Sequence, residues 1–177
     1  MELSSTTDIL ASWNAALESG DPLSQHDAAA LGLLMQNTTH RDALMLTLTE
    51  PELNFYALTE HEQDAAARNL VLKIVSPDAG EVPTDRVYAA RTVLAHIIEQ
   101  IELLNEKQSG NPHAAPIVSD EVRGFLMILE WWVNDITAAN AQFEKGAKNT
   151  NLGSLVNYAR LNGLGAGWTR RFDTIAD

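Results

Sequence analysis

His61-Glu62-Gln63-Asp64 is a run whose residue types could do chemistry, because a His-Glu pair on a helix opens the zinc-peptidase motif. That motif needs a second histidine four residues after the first, and position 65 is alanine. His61 and Asp64 can share a helix face, but two ligands do not make a zinc site, so the run reads as surface charge. His26, His40, His96 and His113 are scattered, with no pair at ligand spacing. Gly163, Gly165 and Gly167 alternate, yet a dinucleotide loop needs a strand before it and a helix after it, and neither pattern is present. They read instead as a helix end followed by an irregular tail, with Trp168 folding back on the body. Ser109-Gly110 and Gly153-Ser154 lie in linker or helical context, not at the sharp strand-to-helix turn that exposes a serine nucleophile. The chain has no cysteine, which removes disulfides, thiolate zinc sites and cysteine nucleophiles.

Two further groups stand out. Arg41-Asp42 lies at a helix start, where Asp42 suits the positive end of the helix dipole and Arg41 does not. Arg41 is therefore expected to reach a carboxylate elsewhere, and the pair reads as a structural ion pair. Trp131 and Trp132 are adjacent on a helix, about 100° apart, so one facing the core turns the other aside. With Trp132 inward, Met127, Glu130 and Trp131 are expected to lean outward or under a neighbouring helix. Trp131 packed beneath the final helix or the tail is the favoured placement, and a candidate interaction patch, tryptophan and methionine being favoured interface anchors, is the alternative. No residue is assigned a catalytic, cofactor-binding or metal-binding role, and no cofactor is expected.

The elements that must position these residues are helical throughout. Thr6-Thr7-Asp8 can cap a helix through Ile9, Trp13 and Leu17, stopped by Gly20-Asp21-Pro22. Ser24 with Asp27 opens a second helix, which Asn37-Thr38-Thr39 breaks; a third is expected over about 40–49, closed by Pro51. Thr59 and Glu62 form a capping box for a helix ending near Val75. Residues 76–83, with two prolines and a glycine, mark a boundary. From Thr84 apolar residues recur at helical spacing to about Lys107, a linker covers 109–116, and Ser119 caps the helix bearing the tryptophans. Asn134-Asp135 is a turn, and two closing helices follow, through Phe143 and through Leu155. No strand pattern of any strength appears. The expected class is all-α, an irregular bundle of about eight helices, with an acidic half over 1–75 and a more neutral half over 84–177 packed as one domain.

Charge limits function. Residues 1–83 carry thirteen acids and three bases, or −10; residues 84–177 carry eleven and nine, or −2. A clustered basic surface is what displaces counterions from phosphates, and its absence argues against direct nucleic-acid binding. No apolar run approaches the ~18 residues that span a bilayer. The start, Met1 to Ser5, lacks the basic-then-apolar pattern of a secretion signal, so a cytoplasmic protein without membrane attachment is expected.

The run Asp85-Arg86-Val87-Tyr88-Ala89-Ala90-Arg91-Thr92-Val93-Leu94 resembles the lead-in helix of the actinobacterial domain of unknown function 4192 family. Leu126-Met127-Ile128-Leu129-Glu130-Trp131-Trp132-Val133-Asn134-Asp135 resembles its tryptophan-bearing helix and polar turn, and 138–164 its closing helical pair. Arg41-Asp42-Ala43-Leu44 is similar to an earlier element of that family. The α/β segment that opens typical members is absent, Asn134 stands for a turn glycine, and a proline is replaced near Asn151. The resemblance implies no activity. The closing pair is also similar to a tetratricopeptide hairpin through Ala139, Phe143 and Gly146, whose small-large-small spacing implies close helix approach. The expected function is a non-enzymatic protein-interaction module whose partner is another protein or a second copy. An acidic DNA mimic, and an enzyme assembled from Arg41, Asp42, Glu130 and Arg160, are the alternatives.

Overall fold

A computed structural model describes residues 6–75, 84–111 and 115–162. Of the described residues 77% are helical, in eight α-helices with no strand, which establishes the all-α class. In chain order these are α1 (Thr6–Ser19), α2 (Gln25–Leu34), α3 (Thr38–Leu46), α4 (Glu60–Val75), α5 (Thr84–Gln108), α6 (Asp120–Trp132), α7 (Ile136–Glu144) and α8 (Asn151–Leu161). Short 3₁₀ turns cover Phe55–Ala57 and Ala147–Asn149. The boundary read at 76–83 and the glycine run with Trp168 lie outside the described residues.

The caps that depend on neighbours in sequence form as expected. Ser24 accepts from the Asp27 amide, and Glu62 accepts from both the Thr59 amide and its hydroxyl at 2.9 and 2.8 Å. The start of α3 differs from expectation. Asn37 does end α2, but its side chain accepts from the Thr39 amide, so the same residue caps α3 two residues before the expected start. The helix also stops earlier, at Leu46, because the Thr47 hydroxyl donates to the Leu44 carbonyl at 2.6 Å while accepting from the Trp13 indole N–H at 3.0 Å. Ser119 occupies the cap position of α6, yet its hydroxyl accepts from Arg123 Nε at 3.2 Å instead of a backbone amide.

α5 is the spine. Its 25 residues span about 37 Å at the usual helical rise. α1 and α2 pack on it, as does α6, and α6 is further enclosed by α3, α7, α8 and the 3₁₀ turn at Ala147. A single apolar core therefore joins the N-terminal and C-terminal halves, running from Trp13 and Leu31 through Leu94 and Ile97 to Phe125 and Leu129. Asn105 holds the chain entering α6, exchanging two 2.8 Å hydrogen bonds with the backbone of Ile117.

The spacing of Ala139, Phe143 and Gly146 expected of a tetratricopeptide hairpin does not form on one helix. Gly146 lies beyond the end of α7, with φ at +142°, so it does not share a helix face with Ala139. α7 and α8 both rest on α6, and side chains mediate between them: Phe143 is half-buried under the Arg160 guanidinium, 5.7 Å from its ring centre. The close approach occurs elsewhere, where a Cβ on Gly153 would sit 2.0 Å from the Ala147 carbonyl oxygen.

Candidate functional site

Arg41 and Glu130 make their ion pairs on α6, at separate points along it, while His61, Glu62 and Asp64 lie on α4. Every residue from Val122 to Trp132 is buried. A helix apolar on all sides belongs in an interior, and the two charges within this stretch must then find partners. They do. Arg123 pairs with Glu102 of α5 and donates to Gln142 of α7 at 3.0 Å. Glu130 pairs with Arg91 of α5, which also reaches Asp135 at 3.2 Å. Asp135 in turn caps α7 by accepting from the Ala138 amide at 3.1 Å.

Arg41 completes the set from the other side. Its side chain is 4% exposed, and it holds Asp42 at 2.6 Å and Glu121 at 2.5 Å, so it ties α3 to the first turn of α6. Burial raises the Asp42 pKa above its ordinary value; Arg41 opposes the shift, and the nearby charges of Glu121 and Asp64 add to it. Burial likewise raises Glu130, offset in part by Arg91 and reinforced by Asp135. Beside Arg41, His40 Nδ1 lies 2.8 Å from the Tyr56 hydroxyl, whose pKa burial also raises.

Of the two placements expected for Met127, Glu130 and Trp131, the geometry excludes the outward interaction patch. Met127 is fully buried, Trp131 is 4% exposed and Glu130 is 7% exposed. They pack under neighbouring helices instead, because α7 and α8 cover a second face of α6; Met127 lines a narrow gap with Ala139, Phe143 and Val156. The indole N–H groups of Trp131 and Trp132 are buried with no acceptor among the described residues. Arg41, Asp42, Glu130 and Arg160 do not converge either. Arg41 and Asp42 meet α6 at Glu121, nine residues or about 13 Å along the helix from Glu130. Arg160 reaches Asn140 and Asn157 instead.

His61 and Asp64 are exposed, Glu62 is committed to the capping box, and no cluster able to hold a metal ion occurs among the described residues. No helix among the described residues is long and apolar enough to cross a membrane. Sequence reasoning missed Arg91, Arg123 and Glu121. A usable signal was present: a charge inside an unbroken apolar run, as at Glu130 in Leu129-Glu130-Trp131, requires a partner from elsewhere.

Surface clefts lined by described residues include two of note. One, about 550 Å³, lies between α3 and α4 and is lined by Leu46, Leu70, Leu72, Glu50 and Lys73 among others. The second, about 470 Å³, lies between the end of α1, the turn after it and α5, with Leu23, Val93, Asp21 and Glu99 in its lining. Comparison with known proteins adds no relative: no family model, curated protein or solved structure matches the chain.

Proposed function

We propose that this chain is a non-enzymatic protein-interaction module, related to the domain of unknown function 4192 family through the α5 and α6 segments quoted above. One observation carries the functional reading. The polar side chains best suited to chemistry, Arg41, Asp42, Glu121 and Glu130, are spent on fastening α6, whereas large apolar side chains stand exposed over a complete core. Leu72, 54% exposed, lines the α3–α4 cleft, and Tyr88, 50% exposed, lies one turn of α5 from Thr92 in the lining of the α1–α5 cleft. Isolated exposed apolar residues are ordinary, but beside apolar-floored clefts they are the usual components of a docking face.

The test is affinity capture from the native host followed by reconstitution of each captured protein with the purified chain. A partner that forms a complex of fixed stoichiometry, lost on a surface substitution that leaves the fold intact, is the expected result. Turnover of a small molecule by the purified chain would overturn the reading.

A further inference from the structure

The identity of the partner follows from the α1–α5 cleft, an argument that rests on the module reading above. The floor of this cleft is apolar: Ala16, Leu23 and Val93 are buried and Ala89 is half-buried. Its mouth is exposed and includes Asp21, Thr92, Ala95 and Glu99. A volume of about 470 Å³ lies within the range, roughly 300–1,000 Å³, of clefts that bury a ligand. Tyr88, Thr92, Ala95 and Glu99 fall at successive turns of one α5 face, so the half-exposed Tyr88 ring extends the same stripe.

Charge decides what fits. Asp21 and Glu99 are both carboxylates, and no lysine or arginine occurs among the described residues lining the cleft. His96, also in the lining, has Nε2 3.1 Å from the Leu23 carbonyl oxygen and Nδ1 3.8 Å from Glu99. The arginines of this part of α5 are engaged elsewhere: Arg86 lies 4.0 Å from Glu18 and donates to Asn14 at 3.1 Å, and Arg91, 5.2 Å from the Tyr88 ring centre, is shared between Glu130 and Asp135. The α3–α4 cleft is larger, but Glu50 and Lys73 both line it and cancel. A second copy of the chain is a poor occupant, since each copy carries −12 and like net charges oppose association.

We propose that the α1–α5 cleft binds a basic segment of a partner protein. An apolar side chain of that segment seats on Leu23 and Val93, and a lysine or arginine lies between Asp21 and Glu99. The net charge of the chain speeds encounter with such a partner, while the apolar floor supplies the grip.

The experiment is calorimetric titration of the full chain with three synthetic amphipathic peptides. They share one leucine pattern and differ only in whether the polar positions are lysine, glutamate or glutamine. The lysine peptide is expected to bind at least tenfold more tightly than the glutamate peptide, with affinity falling as salt rises. Asp21→Asn and Glu99→Gln should each weaken it by up to about fivefold, the scale of an exposed ion pair. Thr92→Arg, which adds bulk and a cation at the mouth, should abolish binding with an unchanged helical spectrum and melting point. Leu72→Glu, in the α3–α4 cleft, should leave binding intact. Equal binding to Thr92→Arg, or loss with Leu72→Glu alone, overturns the cleft assignment and leaves the module reading standing. Failure of all three peptides to bind saturably overturns the basic-segment proposal, while the reconstitution above judges the module separately. Sedimentation showing a dimer that the lysine peptide dissociates would make a second copy the occupant and overturn it too.

Discussion

Replacing Trp131 by alanine separates a buried core residue from a docking residue. The side chain is 4% exposed on a helix buried over eleven consecutive residues, so truncation removes a large apolar group and leaves a void that neighbouring helices fill only in part. Loss of a buried tryptophan costs roughly 3–5 kcal/mol. In a chain of this size each kcal/mol lowers the melting temperature by about 2–4 °C, so a fall of roughly 6–20 °C is expected. Trp131→Phe sharpens the argument. Because the indole N–H has no acceptor among the described residues, phenylalanine gives up ring volume but no observed hydrogen bond, and it should recover most of the loss. Thermal melts followed by circular dichroism measure both variants, with sedimentation on the same samples. A Trp131→Ala protein melting within about 2 °C of the parent, outside the expected shift, would refute the burial argument.

Other substitutions probe the contacts around α6 and α8. Arg41→Met strands Asp42 and Glu121; because these carboxylates are 23% and 21% exposed, the cost in urea should be roughly 2–3 kcal/mol, below that of a wholly buried pair. Adding Asp42→Asn and Glu121→Gln should restore much of it, and a triple variant as unstable as the single one would contradict the ion-pair account. Gly153→Ala would ordinarily favour a helix, but its Cβ meets the Ala147 carbonyl, so it should destabilise by about 1–3 kcal/mol in thermal melts. Glu130 has a folded-state pKa raised above its ordinary 4.5, so the folded protein binds its proton more tightly than the unfolded chain. Its favourable contribution is complete below 4.5 and is lost as pH rises through the folded value. Glu130→Gln, which stays neutral, should therefore gain stability relative to the parent as pH rises through that window in urea titrations; a constant difference across the window would contradict the shift.

How far the sequence revealed this fold depended on distance along the chain. The Thr59–Glu62 box and the Ser24 cap are legible because both partners lie within four residues. Asn37 was legible as a helix breaker but not as the cap of the next helix, since one side chain does both. Periodicity identified α6 and its inward face, with Phe125 and Leu129, but left Met127 and Trp131 open between solvent and a neighbouring helix. Nothing local to residues 122–133 shows that α7 and α8 return to cover the second face. Arg41 was expected to seek a carboxylate; that it would be Glu121, eighty residues away, is a tertiary fact. The α1–α5 cleft was hidden for the same reason. Asp21 sat in a turn and Glu99 on a helix, and only the packing of α1 and α2 on α5 brings them to one mouth.

Native-state hydrogen exchange, read residue by residue, is the most direct check on α6 as the enclosed centre of the molecule. Amides from Phe125 to Leu129 should exchange only through global unfolding, with free energies equal to the stability measured in urea and matching those of Leu94 to Ile101 in α5. α4, packed mainly on α3, should open at lower cost. Exchange of the α6 amides well below the global value, or ahead of α4, would contradict an enclosed α6.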